Sequence, residues 1–260
     1  MNIIVCIKQV PDTTDIKINP EHNTLIREGV ESIINPFDMY ALEEGLRIKE
    51  AHGGTVTVLS MGPPQVELAL REALAIGADN AILISDMKFA GSDTLATSYT
   101  LAAAIRKLGT FDIILFGKQA IDGDTAQVGP GVACHLDIPQ IAFVKKIDTI
   151  EDGKIIAHRM MEDGFDVVES KLPIALTVVK DINEPRLPSL RTKMKAKKAE
   201  IPIWKFDDLD LDKKRIGLNG SPTWVEKIFT PSHEKKTMML EGEPEDVAKK
   251  LAEYLKDLQK

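Results

Sequence analysis

Residues Phe116 to Gly131 read FGKQAIDGDTAQVGPG and close the apolar run FDIILF. Glycines there let a ligand approach the backbone, and a helix starting there turns unpaired N–H groups toward an anion. Thr125 and Gln127 can donate to phosphate oxygens. Asp122 and Asp124 would repel a phosphate if aimed at it; they suit helix capping or bonds from ribose hydroxyls. The stretch is not the dinucleotide fingerprint, because GPGVAC lacks the last glycine and falls inside the helix. Nor is it a P-loop, because no glycine stands five residues before Gly117-Lys118. From residue types alone, a nucleotide phosphate site and a capped helix after a tight turn both stay open.

Two other stretches carry similar chemistry. In Gly91-Ser92-Asp93-Thr94-Leu95-Ala96-Thr97, the hydroxyls of Thr94 and Thr97 lie one helical turn apart and suit a diphosphate. Ser92 or Asp93 serves equally well there as a helix cap. In Asn35-Pro36-Phe37-Asp38, Asp38 reads as an N-cap. Asn35, held extended before proline, has an amide able to reach toward a base or ribose. No G-x-S-x-G and no catalytic Cys–His signature occurs. Cys6 and Cys134 are far apart, and Cys6 reads as core packing. His22, His52, His135, His158 and His233 show no ligand spacing. Redox chemistry in this chain must therefore come from a bound cofactor.

The elements that would position these stretches alternate. Strands are expected at Ile3–Lys8, Thr55–Gly62, Ala81–Ser85 and 111–117. Helices are expected at Met39–Ala51, stopped by Gly53-Gly54, at 65–77 after Pro63-Pro64, and at 94–108. Such repeats give an α/β fold: a doubly wound, mostly parallel, Rossmann-like sheet that binds ligands at its C-terminal edge. The turns Lys8–Pro11, Ser60–Pro64 and Gly117–Gly129 would meet in that crevice. The segments IAFVKKI, KIIAHRMM, FDVVESKL and IALTVV read as antiparallel hairpins or as a late strand returning to the sheet. NEPRLPSLRTKMKAKKAEIP reads as a polar, basic loop over 183–200. A linker and an amphipathic helix, Pro244–Gln259, complete the chain, with Val247, Leu251, Tyr254 and Leu255 on one face. The chain divides at about residue 220 into this α/β domain (1–220) and a C-terminal arm (221–260). The net charge of -7 argues against non-specific nucleic-acid binding. The lack of a spanning apolar run or signal-peptide layout points to a cytoplasmic chain without membrane insertion.

The motifs IVCIKQV, NPFD, GAD, GKQAID, NEPR and MKAKK, in that order, resemble the beta subunit of electron-transfer flavoproteins from Met1 to about Pro202. The resemblance implies a heterodimer with an alpha subunit that carries a redox-active FAD. It implies a crevice holding AMP in housekeeping members, or a second FAD that takes hydride from NADH in electron-bifurcating ones. DGDTAQVGP and SDTLAT are most like the bifurcating group, which delivers electrons to ferredoxin and to an acyl-CoA dehydrogenase-like or other dehydrogenase. Cys6, Lys8, Asn35, Phe37, Asp38, Met61, Lys118, Gln119, Asp122, Asp124, Thr125 and Gln127 fall on the nucleotide-contacting motifs. Gly123, Val128 and Gly129 complete the turn, and Thr94 and Thr97 would serve a second phosphate. Leu190 falls on the loop leucine that enters a dehydrogenase partner, with Lys195 among the lysines behind it. The arm would pack on the alpha subunit. Thr13 departs from the pattern, standing where housekeeping members can have a tyrosine. A competing class, a nucleotide-binding regulatory module, would have no evident use for the NEPR and MKAKK segments.

Overall fold

The computed structural model describes residues 1–12, 18–19, 24–25, 32–226 and 237–257; Thr13, His22 and His233 lie outside them. Its first strands are β1 (Asn2–Cys6), β2 (Gln9–Pro11), β3 (Ile18–Asn19), β4 (Thr24–Leu25) and β5 (Ser32–Ile34). Then come α1 (Pro36–His52), β6 (Thr55–Met61), α2 (Glu67–Ile76), β7 (Asn80–Ile84), α3 (Thr94–Leu108), β8 (Ile113–Gly117) and α4 (Val128–Leu136). A meander of β9 (Gln140–Glu151), β10 (Lys154–Met160) and β11 (Phe165–Lys171) leads to β12 (Ile174–Val178). The chain continues through α5 (Leu190–Lys198) and β13 (Ile203–Trp204) to α6 (Pro244–Asp257).

Nine strands form one sheet in the order β11-β10-β9-β12-β8-β1-β6-β7-β13. From β9 to β13 the pairs are parallel, while β10 and β11 extend the sheet antiparallel. Both readings of the second half are therefore realised: hairpins, and then β12 returning between β9 and β8. Strand alternation sorts the core. Ile3 and Val5 face the layer of α1, α2 and α5, whereas Ile4 and Cys6 face α3 and α4. The order reverses beside β1: the chain steps to β6 and β7, then crosses back to β8. The loops leaving β1 and β8 consequently diverge, and a crevice opens between them.

The basic stretch read as a loop contains a helix, α5. Ser189 caps it by accepting the Thr192 N–H at 3.1 Å, and Ala196 is buried in the core cluster that includes α2. Arg71 of α2 donates to the carbonyls of Ala196 (2.8 Å) and Ala199 (3.1 Å), satisfying the helix end. Lysine-rich composition hid a helix that a neighbour stabilises. Upstream, Arg186 binds Glu43 through Nε at 2.8 Å and Nη2 at 3.0 Å, and also reaches Glu50. Asn183 donates to Glu44 at 2.9 Å. The NEPR segment thus ties the chain before α5 to α1.

Glu43 is buried, so removal of its partner leaves an uncompensated charge. Arg186→Met is expected to cost roughly 3 kcal/mol, read as a lower urea midpoint at unchanged slope.

Candidate functional site

A crevice of about 480 Å³ opens beyond the strand ends of β1, β6 and β8, within the range of small-ligand sites. Its floor begins with Asn35. Pairing of β2 with β5 brings Asn35 beside the β1 exit, where its N–H donates to the Lys8 carbonyl at 2.8 Å. The side chain is 1% exposed. Its Nδ2 donates to the Gln119 carbonyl (2.9 Å), and its Oδ1 accepts the Ile121 N–H (3.1 Å). The amide expected to point outward is instead turned onto the loop backbone, because that loop has no ladder partner there.

Asp38 does not cap α1. Its carboxylate accepts the Lys8 N–H at 2.7 Å and the Gly117 N–H at 3.2 Å, joining the exits of β1 and β8. Burial raises its pKa to about 7 against these bonds and the nearby Lys8. Burial, and then Asp38 itself, push the Cys6 thiol well above the usual range, so Cys6 is a neutral floor residue. Gly117 is required by close approach: a Cβ there would lie 2.4 Å from Asp38 Oδ1 and 2.6 Å from the Phe37 carbonyl carbon.

One wall is the quoted turn. Asp124 and Ala126 have φ of 54°, left-handed for residues other than glycine, a strain that functional loops commonly store. Lys8 Nζ grips Asp122 at 2.6 and 2.7 Å. Gln119 bonds to Asp124. The two acids are thus matched by donors from the floor and the turn. Gly123 lines the crevice, and a Cβ there would meet open space. The first N–H groups of α4, at Val128 and Gly129, have no intrahelical acceptor, and Gln127 provides no side-chain cap. Gly129 packs where a Cβ would fall 2.6 Å from Thr177 Cγ2.

The opposite wall is the N-terminus of α3. Asp93 caps it, accepting the N–H groups of Leu95 (2.9 Å) and Ala96 (3.1 Å). Thr94 Oγ1 donates to Gln127 Oε1 at 2.8 Å, linking the two helix starts. Thr97 lines the same wall.

Cys6, Lys8, Asn35, Asp38, Met61, Thr94, Thr97, Lys118, Gln119, Gly123, Thr125, Gln127, Val128 and Gly129 meet on this crevice. Asp122 joins it through Lys8, and Asp124 through Gln119. Phe37 is half-buried under Gly117 and outside the lining. Leu190, 77% exposed, and Lys195 stand apart on α5. Sequence reasoning missed Phe116 and Val225. Phe116 was hidden as a strand residue, and Val225 gives no signal within an irregular segment. Among the described residues no cluster of metal ligands occurs, and no helix is long and apolar enough to cross a membrane.

The model of the electron transfer flavoprotein domain matches residues 22–209. The chain is 52% identical over 256 residues to electron transfer flavoprotein subunit beta of Thermoanaerobacterium thermosaccharolyticum, covering 98% of each chain. It is 50% identical over 259 residues to the caffeyl-CoA reductase-Etf complex subunit CarD of Acetobacterium woodii, covering 99% of this chain and 98% of CarD. Protein FixA of Azorhizobium caulinodans is 48% identical over 248 residues, 92% of this chain and 88% of FixA.

Asp38 supplies a pH test. Its folded pKa lies above the ordinary carboxylate value, so stability from this group is complete near pH 4 and is lost as pH rises through about 7. Asp38→Asn removes the titration. In urea melts between pH 4 and 8, the stability of wild type relative to Asp38→Asn is expected to decline as pH rises and to level off above 7.

Proposed function

The chain belongs to the electron-transfer flavoprotein family, as a beta subunit, and on that basis we propose that its crevice holds FAD and oxidises NADH in electron bifurcation. FAD, when bound, supplies the hydride-accepting and electron-releasing chemistry that no side chain of this protein has. The destinations are ferredoxin, at low potential, and, through the alpha subunit's FAD, a dehydrogenase of the acyl-CoA dehydrogenase type.

The observation that carries this reading is a wall that sets the uncapped start of α4 beside the threonine hydroxyls of α3. The uncapped start of α4 and the hydroxyl-bearing start of α3 face one crevice and are linked by the Thr94–Gln127 bond. A first phosphate fits the uncapped α4 start; a second would rest on the Thr94 and Thr97 hydroxyl side of α3, since Asp93 already takes that helix's own N–H groups. The open space over Gly123 supports a ligand that extends beyond an AMP. Lys8 and Lys118 bring positive charge to the same lining. Buried Asn35 and Asp38 hold the loops at fixed separation, so the ligand meets a preformed site. The resemblance to CarD, named as part of a caffeyl-CoA reductase-Etf complex, supports an acyl-CoA-linked acceptor. The second reading is a structural AMP, favoured by the fact that the α4 start is the uncapped one while Asp93 occupies the α3 start.

Docking on the dehydrogenase is assigned to α5. Leu190 and Met194 are exposed on it, beside Arg191, Lys193, Lys195, Lys197 and Lys198. An apolar anchor inside a cationic rim fits a partner pocket with an acidic border. Residues 244–256 of α6 are exposed except half-buried Val247, a face suited to the alpha subunit.

The chain is co-expressed with its alpha subunit, the complex is denatured, and nucleotides are quantified. Two FAD per heterodimer and no AMP are expected; one FAD with one AMP would sink the bifurcating assignment.

A further inference from the structure

Asp93 does two things at once. Its Oδ1 accepts the N–H groups of Leu95 and Ala96 at the start of α3. Its Oδ2 accepts the Thr223 N–H at 3.1 Å and the Thr223 hydroxyl at 2.8 Å. The Asp93 N–H in turn donates to Ser221 Oγ at 2.8 Å, and that hydroxyl donates to the Gly217 carbonyl at 2.7 Å. Burial works against the charge, but the bonds from Ala96, Thr223 and Leu95 hold this carboxyl below the ordinary range. A single anion therefore fastens an irregular segment, 130 residues downstream, to a helix start on the crevice wall. Two residues beyond Thr223, Val225 lines the crevice although it is 77% exposed. It is an apolar residue at the exposed edge of this lining.

We infer that Ser221–Val225 is the outer wall of the nucleotide site, and that the Asp93–Thr223 bond sets how long a bound nucleotide stays. Thr223 is then a positioning residue: it touches no ligand but holds Val225 over the opening. The inference rests on the reading that the crevice binds an adenine nucleotide, FAD or AMP. The consequence reaches beyond the site. The chain that leaves this wall continues to α6, so a displacement of the arm root would open the crevice and nucleotide occupancy would favour one placement of that root.

Thr223→Val removes the hydroxyl bond at nearly constant volume, keeping the Thr223 N–H bond and the Asp93 cap of α3. A hydroxyl bond to a carboxylate is worth enough to change a rate by roughly tenfold. The experiment uses the complex with the alpha subunit, loaded separately with FAD and with AMP. Release after dilution is followed by chromatography, and the alpha subunit's own FAD is common to wild type and variant. Release from the variant about tenfold faster, with association rate and melting temperature unchanged, is the expected result. Unchanged release would overturn the proposal, as would slower association accompanied by a lower melting temperature, which would make the contact one of folding alone. Wild-type complex that retains neither FAD nor AMP beyond the alpha subunit's flavin would overturn the underlying reading of the crevice, a result visible before any variant is made.

Discussion

The bond between Asp38 and the two strand exits is the constraint around which the molecule is organised. At the point where strand order reverses, β1 and β8 are neighbours but their loops part. Their shared ladder ends at the pair Cys6–Phe116, and one carboxylate accepts the N–H groups just past it, at Lys8 and Gly117. That arrangement needs a carboxylate on the first turn of α1. It also needs a residue without a side chain at 117, where a Cβ would lie within 3 Å of Asp38 and Phe37. Everything else in the crevice hangs on this knot. Lys8 projects from one exit toward Asp122, Lys118 continues the other exit into β12, and Asn35 stitches the turn to the floor. The knot is costly in isolation, because an anion is buried; it persists because the donors it satisfies would otherwise be unpaired.

Most of the sheet could be read from local pattern. Fully buried parallel strands write themselves as short apolar runs, as in NIIVC and IILFG. Glycines at 53 and 77 end helices with positive φ, as their positions imply. What stayed hidden has a common cause, dependence on a distant partner. The α5 stretch has poor apolar periodicity and is helical because Arg71 caps it from another helix. Asp38 looks like an N-cap in sequence, since only the fold brings Gly117 to it across 79 residues. Val225 joins the crevice through a bond made 130 residues earlier in the chain. The convergence of the Lys8, Met61 and Gly117–Gly129 turns on one crevice was legible, because each follows a strand whose place in the topology is forced; NPFD and SDTLAT were placed there only by the family resemblance.

Helix α1 supports both the crevice and the chain leading into α5. Its first turn carries Asp38, and its later turns carry Glu43, Glu44 and Glu50, which bind Arg186 and Asn183. The chain leading into α5 is thus fixed on the same rigid rod that sets the crevice floor. A helix transmits position along its axis with little compliance, so the crevice floor and the approach to α5 share a frame. The C-terminal side differs. There the segment near Val225 is held by bonds from Ser221 and Thr223, while Trp224 and Val225 are exposed. The Asp93 carboxylate is the joint between the two regimes, since one of its oxygens belongs to the rigid wall and the other to the arm root.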